Sequence, residues 1–136
     1  DPSGKIKVII DKRGRVIRID EGLAFEGGKA EILPEFREKL DKIADLIAAL
    51  PNQVQVEGHT DNIPINTPAF PSNWGLSTAR AMSMVNYFVD RHAMDPQRFS
   101  VSGYGEFRPI DTNDSPEGRA KNRRVETVIL SMDKIP

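Results

Sequence analysis

A chain of 136 residues with 38% hydrophobic side chains is long enough to bury one core and short for two domains. Its formal net charge of −1 balances 19 basic against 20 acidic groups, so no overall field draws it to nucleic acid or an anionic membrane. It contains no cysteine, which excludes disulfides, thiolate metal sites and thiol catalysis, and no apolar run approaches the roughly 20 residues that span a bilayer.

Residues 5–10 alternate polar and apolar side chains and predict a strand. Turn residues follow at 11–14, and residues 16–19 predict a second strand paired to the first as a hairpin. Gly27 and Gly28 interrupt the chain. Pro34 suits a first helical turn, and Phe36, Leu40, Ile43, Ile47 and Leu50 recur at helical spacing until Pro51 and Asn52 stop them. Residues 53–58 alternate cleanly and predict a core strand. Residues 61–72 read as a loop, because Pro64, Pro68 and Pro71 remove donors and fix backbone angles. A loop this long in a compact domain is commonly functional. Asn73 is the expected N-cap of a second helix, with Trp74, Thr78, Ala81, Met82, Val85, Phe88 and Val89 as its buried stripe. A turn at 95–98, a strand at 99–103 and a loop at 106–118 come next. The final strand, 124–131, has Val125, Thr127 and Ile129 on one face. The order β-β-α-β-α-β-β predicts an α+β sandwich, a mixed sheet covered on one face by helices with an N-terminal hairpin extension.

Three junction blocks carry the chemistry: Val56-Glu57-Gly58-His59-Thr60-Asp61, Leu76-Ser77-Thr78-Ala79-Arg80-Ala81, and Gly118 through Glu126 with its Asn122-Arg123-Arg124. Each joins a strand to a helix or loop and delivers charge or amide groups, a pattern suited to a small zwitterion rather than a reaction. Asn73, Ser77 and Arg80 stand at i, i+4 and i+7 and share one face near a helix start. That start also offers free N–H groups and a positive dipole. The strand ending at Gly58 delivers Asp61 to the same end of the sheet. The plain alternative for Asp61 and Arg80 is a structural salt bridge.

His59 has no third ligand at zinc spacing, and His92 falls in the last turn of a helix, so His59 is read as structural and no metal is expected. Ser77 has no histidine partner, and neither a metal triad nor a carboxylate pair for wall hydrolysis is found, so no enzyme and no cofactor is expected. The basic run at 121–124 lacks an aromatic platform and reads as a solvated face rather than a nucleic-acid patch. Trp74 falls in the apolar stripe and is read as core rather than as a sugar-stacking ring.

Four blocks, in order and at compatible spacing, resemble the OmpA-like peptidoglycan-binding domain: Gly58-His59-Thr60-Asp61, Asn73 through Ala81, Gly103-Tyr104-Gly105-Glu106, and Gly118 through Val125. The resemblance places the domain at 16–132, with 1–15 as an N-terminal flank and 133–136 as a tail. The link from Asn62 to Ser72 is longer than the commonest pattern. With Phe70-Pro71-Ser72-Asn73-Trp74 and the segment from Ala24 to Ile32, it is similar to flagellar stator subunits of the MotB type and their sodium-driven relatives.

This resemblance implies non-covalent binding of the peptidoglycan stem peptide at its diaminopimelate residue. Asp61 would accept from the ammonium, and Arg80 would hold the carboxylate with its planar fork. Asn73 and Ser77 share the helix face, Asn122 with Arg123 or Arg124 closes the other wall, and Thr60 shapes the pocket. Also implied are a homodimer, a MotA-like partner reached through a membrane segment, and a periplasmic domain of a protein held in the cytoplasmic membrane. The abrupt start at Asp1-Pro2-Ser3-Gly4 is that expected of an excised fragment. The same-fold alternative is the soluble domain of an outer-membrane OmpA-type porin or a peptidoglycan-associated lipoprotein, against which the 62–72 insert argues. A dimerisation domain without ligand is the third reading. Asp61→Asn and Arg80→Ala are expected to abolish most binding with little change in thermal stability, and residues 1–26 are the natural lever for holding the site closed.

Overall fold

The computed structural model describes residues 3–134. Strands β1 (Ile6–Asp11) and β2 (Gly14–Asp20) form the expected hairpin, in register from Ile6↔Ile19 to Asp11↔Gly14. A short helix α1 (Glu21–Ala24) follows, and a 3-10 turn at Pro34–Phe36 leads into α2 (Arg37–Ala48). Then come β3 (Val54–His59), α3 (Asn73–His92), β4 (Phe99–Gly103), α4 (Pro116–Asn122) and β5 (Arg124–Leu130). The sheet order is β1-β2-β5-β3-β4, antiparallel throughout except for the parallel β3–β4 pair. A parallel pair cannot be closed by a hairpin, and α3 supplies its crossover.

The hairpin belongs to the sheet. Strand β2 pairs with β5 from Gly14↔Leu130 to Asp20↔Arg124, so a boundary between residues 15 and 16 cuts a strand. Of the tail at 133–136, residues 135 and 136 lie outside the described residues, as do residues 1 and 2 of the flank.

One face of the sheet carries Ile17, Ile19, Val54, Val56, Val125 and Ile129 into the core, against Leu40 and Ile47 of α2 and Ala81, Met84 and Phe88 of α3. The period-two alternation of β5 predicts its share of this set. The stripe of α3 differs from the expectation. Its buried residues are Leu76, Ser77, Arg80, Ala81, Met84, Val85, Tyr87 and Phe88, whereas Trp74 and Met82 are exposed at 52% and 39%. The helix is rotated so that Arg80 lies within the buried face. Its N-cap is Ser72, whose hydroxyl accepts from the Gly75 N–H, and Asn73 is the first helical residue. Helix α4 starts inside the stretch read as a loop. Ser115 caps it by accepting from the Gly118 N–H, and Pro116 takes the first helical position, a local signature present in the sequence.

The contact between α3 and the sheet fixes the site. Gly58 and Gly103 are register partners on β3 and β4, and a β-carbon on either would strike the first turns of α3, at Ser77 and Thr78 respectively. The missing side chains let the helix start lie directly on the strand ends, beside Asp61.

Candidate functional site

Asp61 follows β3 and is 6% exposed. Its Oδ1 accepts from the Ile63 N–H at 3.0 Å, and its Oδ2 accepts from Arg123 Nη1 at 2.7 Å. Arg123 is the residue between α4 and β5, and its Nε donates to Glu21 Oε2 at 2.8 Å. The other Glu21 oxygen, Oε1, accepts from Arg80 Nη2 at 2.9 Å. Asp61 and Arg80 are therefore not joined to each other. They are the ends of an alternating chain, Asp61–Arg123–Glu21–Arg80, drawn from four separate elements.

Glu21 was not singled out in the sequence. It sits one residue past β2, where its N–H donates to the Arg123 carbonyl at 2.9 Å and continues the β2–β5 ladder. Only the register of two strands far apart in sequence puts its carboxylate between two guanidiniums.

Arg80 is 3% exposed and tightly built in. Its Nε donates to the Lys29 carbonyl at 2.7 Å, its Nη2 also to the Glu26 carbonyl at 3.0 Å, and its guanidinium lies 5.0 Å from the centre of the Phe25 ring. Burial lowers its pKa from the ordinary arginine value, and the Glu21 charge opposes that shift. Arg80 thus fastens the 26–29 turn onto α3, so Arg80→Ala disturbs structure as well as any ligand contact. The expectation that its loss spares stability does not fit this geometry.

The two adjacent arginines diverge. Arg123 points to Asp61 and Glu21 and is 36% exposed. Arg124, the first residue of β5, points to the opposite face of the sheet, where it is 3% exposed and donates to Glu126 Oε2 at 2.7 Å and to the Asn122 and Arg108 carbonyls. Successive side chains of an extended chain alternate. Since Val125 faces the helices, parity alone assigns Arg123 to that side, a signal the sequence already held.

Three further expected site residues turn inward. Ser77 is 1% exposed; its hydroxyl donates to the Trp74 carbonyl and accepts from the Gly105 N–H at 3.1 Å, tying α3 to the turn after β4. Asn122 is fully buried, its Oδ1 accepting from Ile110 and Asp111 N–H and its Nδ2 donating to the Asp111 carbonyl and Asn113 Oδ1. It holds the 110–113 loop. The Thr60 hydroxyl donates to the Asp61 carbonyl at 2.8 Å and sets the turn that presents Asp61. The Asn73 amide donates to the Ile63 carbonyl at 3.0 Å, on the rim of the site. Beside the Arg123–Glu21 pair opens a cleft of about 590 Å³, lined also by Lys5, Asp20, Phe25 and Gly28.

On the far face, Glu57, His59 and Glu126 place one ligand atom each within 4.8 Å of one another, a trio the sequence spacing did not suggest because Glu126 arrives by pairing with Glu57 across β3 and β5. Guanidiniums already hold both carboxylates: Arg13 reaches Glu57 and Glu126 at 2.9 and 3.1 Å, and Arg18 and Arg124 reach Glu126. A cation there would have to displace them. Burial alone would raise Glu126, but the hydrogen bond and charge of Arg124, with Arg18, hold it at about 2. Burial pushes the His59 pKa below the ordinary value, partly offset by its contact with Glu57.

The chain is similar in sequence and in fold to known proteins. Motility protein B of Bacillus subtilis is 37% identical over 127 residues, covering 93% of this chain and 49% of that protein. The chain spans about half the length of the curated relatives it matches. The solved cell wall anchor of the T6SS from Pseudomonas aeruginosa superposes with a TM-score of 0.87 at 37% identity, covering 96% of this chain and 91% of that one. The periplasmic domain of Helicobacter pylori MotB gives 0.85 at 28% identity, covering 93% and 82%. The OmpA family profile matches residues 24–123, which contain the whole chain of charges except Glu21, and the protein belongs to the OmpA family.

Proposed function

We propose that this domain binds peptidoglycan without making or breaking a bond, and that it anchors a flagellar stator unit to the cell wall. The observation that carries the reading is the alternating chain Asp61–Arg123–Glu21–Arg80, whose middle pair, Arg123 and Glu21, lines a cleft. A diamino acid of the stem peptide presents an ammonium and a carboxylate on one carbon, and this chain presents an anion and a cation side by side. Asp61 has spent one acceptor site on each oxygen and keeps capacity for an ammonium. Arg123 is the more accessible guanidinium for the carboxylate, while Arg80 has Nη1 left over from its inward bonds. A ligand carboxylate reaching either would share it with Glu21.

The similar structure of a cell wall anchor supports the cell-wall reading, and the similar motility protein supports the stator role. The stator role is proposed for the longer protein of which such a segment forms half in those relatives. A homodimer, a MotA-like partner and an extracytoplasmic position belong to the same proposal.

Co-sedimentation with purified sacculi tests it. Asp61→Asn should weaken binding by about 2–5 kcal/mol, upwards of roughly thirtyfold, because it removes the anion that would meet the ligand ammonium and one of the two carboxylates that hold Arg123. Arg123→Ala should do likewise, and its partial exposure makes it a cleaner probe than Arg80→Ala. Undiminished pull-down by both variants would leave a scaffold that does not grip the wall. Soluble muropeptides released by the wild-type chain would make it a hydrolase.

A further inference from the structure

The only tryptophan of the chain, expected in the core, stands outside it. Trp74 is 52% exposed and Phe107 is 60% exposed, and the two rings stack with centroids 5.0 Å apart and planes 23° from parallel. They border a cleft of about 260 Å³ whose other walls include Pro64, Pro71, Asn73 and Glu106. Two large rings left in water are costly, and exposed apolar surface of this kind marks a contact.

The patch is tied to Asp61 through Ile63 and Asn73. The Ile63 N–H donates to Asp61 Oδ1, and the Ile63 carbonyl accepts from the Asn73 amide, both at 3.0 Å. Asn73 precedes Trp74 in the first turn of α3. On the other side, the Gly105 carbonyl accepts from the Thr60 N–H at 2.9 Å, while Gly105 itself lies against the Trp74 indole. A single turn of chain therefore separates the aromatic pair from Asp61.

We infer that the Trp74–Phe107 pair is a second subsite, which takes a pyranose ring of the amino-sugar chain that carries the stem peptide. The inference rests on the peptidoglycan reading above. A pyranose has an apolar C–H face and a polar edge. The stacked rings match the face, and the Glu106 carboxylate and Asn73 amide at the rim match hydroxyl and acetamido groups at the edge. The occupant follows from connectivity. A stem peptide held at Asp61 is covalently attached to sugar, and the surface one turn away is aromatic rather than charged. The 61–72 loop, with its three prolines, shapes this wall with little conformational freedom left to lose on binding.

Three probes separate the possibilities: the tripeptide L-Ala–γ-D-Glu–meso-diaminopimelate, the same tripeptide on its amino-sugar disaccharide, and the disaccharide alone. With one tryptophan in the chain, indole emission reports this site by itself, and calorimetry serves the variants. The disaccharide-peptide should bind about tenfold tighter than the free tripeptide and shift the Trp74 emission, which the tripeptide should leave in place. In Trp74→Ala and in Phe107→Ala the ratio of the two affinities should fall to about one. Phe107 lies in a loop and leaves the helix intact, so it covers the case in which Trp74→Ala misfolds. Equal affinity for both peptide ligands with unmoved emission overturns the subsite and leaves the peptide site standing. Absence of tripeptide binding together with loss of sacculus pull-down in no variant overturns the peptide reading instead. A Trp74 emission that depends on protein concentration, not on sugar, would assign the patch to a second copy of the chain and overturn the inference.

Discussion

Two ionic clusters lie back to back across the end of β3 and β5, and consecutive arginines serve them. On the far face, Arg13, Arg18 and Arg124 enclose Glu57 and Glu126, which are 4% and 1% exposed. On the helix face, Arg80 and Arg123 alternate with Glu21 and Asp61, and Arg123 stays 36% exposed at the lip of a cleft. Charge density is similar in both. Both border a cleft, of about 230 Å³ on the far face, but there three guanidiniums close on two carboxylates, whereas the near cluster keeps spare donors and acceptors. Shifted ionisation occurs in both, with Glu126 held at about 2 on the far face and Arg80 lowered by burial on the near one, so a shifted pKa does not by itself mark a function.

The comparison breaks most directly at Arg124. Arg124→Ala should destabilise the fold by about 3–5 kcal/mol in urea unfolding, since it removes one partner of a buried pair, while the folded protein keeps its affinity for sacculi. Loss of binding by well-folded Arg124→Ala would merge the two clusters into one functional unit.

Acid should act next, and on the far cluster. Glu126 has a folded pKa of about 2, below its ordinary value, so its contribution is complete above about pH 4.5 and is lost as pH falls toward 2, about 3 kcal/mol in all. His59 is likewise lowered by burial, so protonation favours the unfolded chain and stability begins to decline below about pH 6.5. Urea midpoints from pH 7 to pH 3 should fall in two stages, and the lower one should flatten in Glu126→Gln. An unchanged acid limb in that variant would place the acid-sensitive charge elsewhere.

The smallest expected effect sharpens the near cluster. Glu21→Gln frees Arg80 and Arg123 from an internal carboxylate. Affinity for sacculi should rise by about 1 kcal/mol, roughly fivefold, even as thermal stability drops because buried Arg80 loses its anion. Weaker binding would mean that Glu21 positions the arginines for the ligand rather than competing with it.

Much of this was legible without coordinates. The elements repeat short-range periods, two residues for strands and 3.6 for helices, so the five strands, the two long helices and their order follow from local pattern. Asp61 and Arg80 are singled out by the motifs that carry the family resemblance, with the shared helix face of Asn73, Ser77 and Arg80 beside it. Helix α4 and the direction of Arg123 were also within reach, the first from Ser115-Pro116 and the second from parity with Val125.

What tertiary structure alone decided is who meets whom. Asp61 pairs with a residue 62 positions away and Arg80 with one 59 positions away, through strand register and the rotation of α3, and neither quantity is written in any window of sequence. The same rotation put Arg80 and Ser77 into the buried face and Trp74 out of it, while Asn122, at the end of α4, is buried by its bonds to the 110–113 loop. Local propensity sets which elements form. The partner of each charge depends on loop closure and packing across the whole chain, and these are long-range properties.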